Sequence, residues 1–218
     1  IHAYPEYTGT LLTDIFTLPP VADPLMALEQ VKAALSNRPE LVVGQPFGLN
    51  DTYVLAMRED EAKLLNLTRI TDLAHHPELI AGFTSEFNQR PDGWPGLMKH
   101  YGLHLDRPPV DLSPGHMYQA VRDGQVAVIS AFSTDARLRQ FGLVALVDDR
   151  HFFPAYEALP VMRQDRLARY PAIAEAWAAL AGRIDDATMT GLNQRVDLDG
   201  EPVATVASAF LDSIPLPP

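Results

Sequence analysis

Residues 115–132 read Gly115-His-Met-Tyr-Gln-Ala-Val-Arg-Asp-Gly124, Gln125, then Val126-Ala-Val-Ile-Ser-Ala-Phe132. The first ten predict a helix that Gly124 ends, because glycine takes the left-handed conformation of a helix C-terminus at no steric cost. The run that follows is apolar without alternation, the pattern of a strand covered on both faces. A helix followed at once by a doubly covered strand is one αβ unit, and the flanking sequence repeats the alternation. Before it, Asp23 and Pro24 start a helix over Asp23–Leu35, with Leu25, Leu28, Val31, Lys32 and Leu35 at helical spacing. Leu41–Gly44, Tyr53–Met57 and Leu79–Phe83 read as short strands, and Glu59–Leu65 and Thr71–Ala74 as short helices. Beyond it, Leu143–Val147 is a strand, and helices are expected over Arg163–Gly182, Asp186–Asn193 and Pro202–Leu211. This order predicts an α/β fold with a largely parallel sheet.

The 218 residues suit one large domain or two small lobes. Hydrophobic residues make up 47% and charged ones 21%, ordinary globular usage that argues against disorder. With Lys+Arg 17 against Asp+Glu 28, the net charge is −11, so phosphate backbones and anionic membrane surfaces are repelled. Nucleic acid is thereby excluded as a partner. There is no cysteine, which removes disulfides, thiolate nucleophiles and cysteine-ligated zinc together. The chain opens at Ile1 with no basic or apolar leader, so any export signal is expected outside these residues.

Catalytic motifs are scarce. No GxSxG, GxGxxG or phosphate-binding loop occurs, so acyl transfer and nucleotide chemistry lack their usual marks. His75 and His76 are adjacent, so one helix face cannot present both rings to a metal; His100 and His104 have helical spacing but Gly102 intervenes and no glutamate accompanies them. A metal-dependent hydrolase built on His75, His76, Asp149 and His151 is the rival reading, and no cofactor is called for otherwise.

More informative are aromatics set beside turns and small polar residues. Tyr4-Pro-Glu-Tyr-Thr-Gly-Thr10, Asn50-Asp-Thr-Tyr53 and Phe152-Phe-Pro-Ala-Tyr156 each place rings where a strand end can project them into a cleft. Singly, each is more commonly a core lid with its hydroxyl in water. In this order and spacing, together with Arg90-Pro-Asp-Gly-Trp-Pro-Gly-Leu97, Ala131-Phe-Ser-Thr-Asp135, Asp148-Asp-Arg-His151 and Asn193-Gln-Arg-Val-Asp197, the segments resemble one family: the substrate-binding proteins of osmoprotectant ABC importers. The similarity runs from Ile1 to about Leu211.

The resemblance implies a periplasmic-binding-protein-like fold of two α/β lobes with an interlobe ligand cleft, residues 1–48 and 154–218 forming one lobe and 49–153 the other. It implies a non-catalytic protein, periplasmic or otherwise extracytoplasmic, that captures glycine betaine, proline betaine, carnitine or choline and delivers it to an ABC permease. The same module can also serve as a sensor or as part of a permease chain. In the family pattern four aromatic positions box the cation, and they correspond to Tyr7, Tyr53, Phe132 and Tyr156. The box has a physical reason: a quaternary ammonium offers no N–H, so ring faces must hold it, each for about 0.5 to 2 kcal/mol when desolvated. Phe132 stands where members carry Tyr or Trp, which keeps the face and drops a hydroxyl. Asp51 matches a position near the cation, where an ionised carboxylate adds Coulombic attraction. Arg90 and Thr10 match positions that meet a ligand carboxylate, Arg90 through its two-pronged fork. Family members carry a strand–helix–strand–helix portion ahead of the Tyr-Pro-Glu-Tyr segment. On that comparison the first lobe is incomplete, and self-association or a completing chain is expected to cover the open sheet edge.

Overall fold

The computed structural model describes residues 2–214. Its strands are β1 (Ala3–Tyr7), β2 (Leu41–Val43), β3 (Tyr53–Arg58), β4 (Ala81–Phe83), β5 (Val110–Asp111), β6 (Val128–Phe132), β7 (Leu143–Ala145) and β8 (Ala158–Arg163), and helices alternate with them. The chain divides into two compact units: one runs up to Thr52 and resumes at Pro154, and the other is Tyr53–Phe153. The chain therefore passes out of the first unit between Thr52 and Tyr53 and returns between Phe153 and Pro154. Among the described residues no helix is long and apolar enough to cross a membrane.

The first unit holds a three-stranded sheet ordered β1-β8-β2, antiparallel throughout. Its central strand carries Pro160, a residue that argues against a central strand on sequence. Register resolves the conflict. Pro5 of β1 stands opposite Pro160, a pair that can exchange no N–H bonds and so occupies a non-hydrogen-bonded position of the ladder. Pro5 then turns its missing donor outward from an edge strand, while on the other side the Pro160 carbonyl accepts the Gly44 N–H at 2.9 Å just past the end of β2, so the missing Pro160 N–H costs only the terminal bond of that ladder. A Cβ on Gly44 would lie 2.6 Å from the Pro160 ring, so glycine makes room for it.

Against this sheet packs the helix Pro24–Leu35, capped by Asp23, whose carboxylate accepts the Met26 N–H at 2.9 Å. Its buried face is Ala27, Leu28, Val31 and Leu35, joined by Leu11, Leu12, Leu159 and Val161. Leu25, placed on that face by spacing, is 74% exposed. A second cluster, Phe47, Leu49 and Ala158, is covered by Trp177 and by Tyr7. The single helix expected over Arg163–Gly182 is instead two, Gln164–Arg169 and Ala172–Leu180, because Pro171 interrupts the helical ladder.

In the second unit five strands form one sheet ordered β5-β4-β6-β3-β7. Only β5-β4 and β4-β6 are parallel; β3 runs antiparallel to both β6 and β7, so the largely parallel sheet expected from sequence is corrected to a mixed one. The two parallel pairs are joined by helical crossovers, as a parallel return requires. The apolar run that marks β6 as buried carries no information about its neighbours' direction. Leu55, Met57, Phe83, Phe87, Trp94 and Leu97 fill one core, and Ala56, Met117, Val121 and Ile129 another.

Candidate functional site

In the first unit, β1 ends at Tyr7 and the next residue, Thr8, is fully buried. Thr8 ties down the segment that follows the chain's return. Its N–H donates to the Glu157 carbonyl at 3.0 Å, and its hydroxyl both donates to the Ala155 carbonyl at 3.1 Å and accepts the Glu157 N–H at 3.1 Å. Asn50 and Asp51 hold the residue between: the Asn50 amide oxygen accepts the Tyr156 N–H at 2.6 Å and the Asp51 N–H donates to the Tyr156 carbonyl at 3.1 Å. Both backbone groups of Tyr156 are thus fixed. Its ring lies on Gly9, where a Cβ would approach Cε1 to 2.6 Å and Cδ1 to 2.7 Å. Tyr7 meets Tyr156 edge to face, centroids 6.5 Å apart at 73°. Burial, then the charges of Asp51 and Glu6, pushes the Tyr7 phenol up, so it stays neutral. Thr10 is half-buried one residue past Gly9.

In the second unit, Tyr53 opens β3 and Phe132 closes β6, and the register sets them directly opposite. Cross-strand aromatic pairs of this kind stabilise a sheet by packing. Their rings stack at 4.7 Å and 27°. Phe87 at 5.1 Å and Phe153 at 6.2 Å back the Tyr53 ring, while Phe132 is 45% exposed. Phe153 is held in place by Asp148, whose carboxylate accepts the Phe152 and Phe153 N–H groups at 3.0 and 2.8 Å. Arg90 follows the short helix Ser85–Gln89 and presents its fork to a neighbour: Nε and Nη2 donate to the two Asp92 oxygens at 2.8 and 2.7 Å, and Nη1 to Glu86 at 3.2 Å. Burial, with Glu86 adding to it, Arg90 opposing and Asp92 adding, raises the Tyr53 phenol as well.

The sequence-predicted residues therefore fall into two sets. Tyr7, Thr10, Asp51 and Tyr156 gather in the first unit, and Tyr53, Arg90 and Phe132 in the second. Reading the sequence did not single out Thr8, Gly9 or Asn50, whose job is to fix Tyr156, nor Asp92, Glu86 and Phe87 around Arg90 and Tyr53. It also passed over Glu157. This carboxyl is half-buried, one of its oxygens has no hydrogen-bond partner, and burial raises its affinity for a proton. No spacing rule flags Thr8 or Asn50, because the partners they hold lie 149 and 106 positions away in the chain.

The rival metal site does not assemble. Asp149 accepts the Thr71 hydroxyl at 2.7 Å and the Thr71 N–H at 3.2 Å, and His76 meets Glu78 at 3.0 Å. Among the described residues no group of three or more histidine, aspartate or glutamate side chains is placed to hold a metal ion.

Comparison with known proteins agrees in direction. A family model described as the substrate binding domain of ABC-type glycine betaine transport system matches residues 1–213. A glycine-betaine-binding protein of Pseudomonas aeruginosa is 36% identical over 94% of this chain and 70% of its own length. The carnitine transport binding protein OpuCC of Listeria monocytogenes is 31% identical over 94% of this chain and 67% of its own. A crystal structure described as a glycine betaine/carnitine/choline ABC transporter superposes with a TM-score of 0.86 at 29% identity, covering 97% of this chain and 78% of that one. None of these lends support to the expected self-association or completing chain. With a family model spanning nearly the whole sequence and relatives above 30% identity along most of their length, the chain belongs to the substrate-binding domains of ABC-type glycine betaine transport systems.

Proposed function

We propose that this protein captures a quaternary ammonium osmoprotectant outside the cytoplasmic membrane and delivers it to an ABC permease, acting by binding and release without catalysis. The observation that carries the reading is a pair of tyrosine-centred ring contacts, Tyr7 with Tyr156 in one unit and Tyr53 with Phe132 in the other. A methylated cation needs several ring faces because it has no proton to donate, and each face contributes about 0.5 to 2 kcal/mol once water is excluded. The proposed ligand residues are Tyr7, Thr10, Asp51, Tyr53, Arg90, Phe132 and Tyr156. Holding the phenols neutral keeps their faces electron-rich without adding a charge that would need its own counter-ion. Drawing rings from both units makes binding ligand-dependent in shape, since either pair alone supplies half of the contact. Each unit keeps its own core, consistent with lobes that open and close around a ligand. In this proposal the lobes follow the two units, so the first runs on to Thr52 rather than ending at residue 48, and the hinge lies at the two crossings, Thr52–Tyr53 and Phe153–Pro154.

A second reading concerns the ligand's far end. The Arg90 fork already faces Asp92 and Glu86, two carboxylates for one guanidinium. A ligand carboxylate must compete with both, which favours a simple cation of the choline type over a zwitterionic betaine. Isothermal titration calorimetry with glycine betaine, carnitine and choline decides between them. Tyr53→Ala is expected to weaken whichever binds by more than about tenfold; an unchanged affinity refutes the ring assignment.

A further inference from the structure

Beside the Tyr53–Phe132 stack the second unit contains a hollow of about 130 Å³ that the ring reading does not use. Phe132, Tyr53 and Met117 give it an apolar side, and Thr84, Ser130, Asp135, Arg137 and Glu86, the last paired with Arg90 at 3.2 Å, a polar one. The charges on that polar side are internally matched. Asp135 takes the Arg137 side chain through Nε at 2.9 Å and Nη2 at 2.5 Å, the Arg137 N–H at 2.9 Å and the Tyr118 hydroxyl at 2.5 Å. Burial alone would raise the Asp135 carboxyl, but the bonds from Arg137 and Tyr118 outweigh it and hold it low. The pair stays ionised and satisfied, so it offers a guest neither a net charge nor a vacant carboxylate.

Two hydroxyls remain for a guest. Ser130, two residues before Phe132 on β6, is 3% exposed, and its hydroxyl is directed at Met117 Sδ, 4.0 Å away. A thioether is a weak acceptor, so this buried O–H is poorly paired compared with one that meets oxygen. Thr84 Oγ1 accepts the Phe87 N–H at 3.2 Å, which leaves its own proton to give. Leaving a buried hydroxyl so poorly paired is costly, and an oxygen supplied by a ligand removes that cost.

We propose that this hollow is a subsite for an uncharged hydroxyl carried on the chain of a trimethylammonium ligand, with Ser130 as its specificity-determining partner and Thr84 as the second donor. The inference rests on the ring-capture reading: the cation sits on the rings and the hydroxyl turns into the hollow that Phe132 borders.

Two ligand pairs differing only in that hydroxyl test it by calorimetry on the full chain: carnitine against γ-butyrobetaine, and choline against ethyltrimethylammonium. Tetramethylammonium, which has no tail, reports on the rings alone. The wild type is expected to prefer the hydroxylated member of each pair that binds by about three- to tenfold. Ser130→Ala, which removes one oxygen and nothing else, is expected to erase that preference while tetramethylammonium and the deoxy ligands bind as before. Equal affinity for both members in the wild type overturns the subsite, as does a preference that survives in Ser130→Ala. Loss of tetramethylammonium binding in Ser130→Ala overturns it too, by showing that Ser130 supports the rings. If the wild type binds no quaternary ammonium at all, the ring reading itself fails and the subsite falls with it.

Discussion

Gly9 is the most demanding position in the first unit, and replacing it by alanine tests how Tyr156 is held. The added Cβ would stand 2.6 and 2.7 Å from two Tyr156 ring carbons and 2.8 Å from the Ala155 carbonyl oxygen, where ordinary contact begins at 3.4 Å. The ring must retreat by about 0.8 Å, but the carbonyl has no such freedom, because the Thr8 hydroxyl holds it and Asn50 and Asp51 hold the next residue. Gly9 lies in a helical turn without a left-handed φ, so by propensity alone alanine should stabilise by roughly 0.5 to 1 kcal/mol. Overpacking against a fixed wall costs about 1 to 3 kcal/mol. The clash outweighs the propensity, and Gly9→Ala is expected to lower unfolding free energy by up to about 2 kcal/mol in urea titration. Shifting one ring face of the box should also weaken quaternary ammonium binding by about three- to thirtyfold. A double-mutant cycle separates the causes: in a Tyr156→Ala background the two ring clashes vanish and only the fixed Ala155 carbonyl remains, so the Gly9→Ala penalty should shrink without disappearing. A variant as stable as the wild type, or a penalty undiminished without the Tyr156 ring, refutes the packing explanation.

Charges set two other outcomes. Asp92→Asn removes one of the two carboxylates on Arg90, so glycine betaine affinity should rise relative to choline by roughly two- to fivefold, as expected for a partly exposed ion pair; a calorimetric ratio that stays constant would show that Arg90 does not meet the ligand's carboxylate. Glu157 binds its proton more tightly folded than unfolded, so its contribution favours the folded state at low pH and is lost as pH rises through the raised folded value. Glu157→Gln, which copies the protonated form, should therefore raise the melting temperature at pH 8, and the gain should fade toward pH 4. An equal shift at both ends would place its effect outside this carboxyl's titration.

How far the sequence reached depended on the range of the interaction that decides each feature. The helix Pro24–Leu35 was readable because its cap and buried stripe lie within twelve residues. β6 was readable because burial on both faces leaves a local apolar run. β8 was not, because a proline is tolerated in a central strand where its missing N–H falls beside another proline or at the end of a ladder, and no local pattern shows which residues stand opposite. At Pro160 that question is answered by Pro5 and Gly44, both more than a hundred residues away.

The candidate site divides in the same way. Its rings were visible as types at strand ends, but their usefulness depends on groups that no local pattern marks. Tyr156 is fixed from the far side of the sequence: Asn50 and Asp51 take up both its backbone groups, Gly9 lies against its ring, and Thr8 holds the residues on either side of it. Arg90 shows the converse. Its fork matched the family position for a ligand carboxylate, yet the residues that set its charge balance, Glu86 and Asp92, sit four and two positions away and were within reach of a spacing argument. An arginine flanked by acids at i−4 and i+2 is already in an ion pair before any ligand arrives. On the proposed ring-capture reading, selectivity between a cation and a zwitterion accordingly turns on the competition at Arg90, while the grip on a methylated nitrogen turns on how rigidly two distant segments fix one tyrosine.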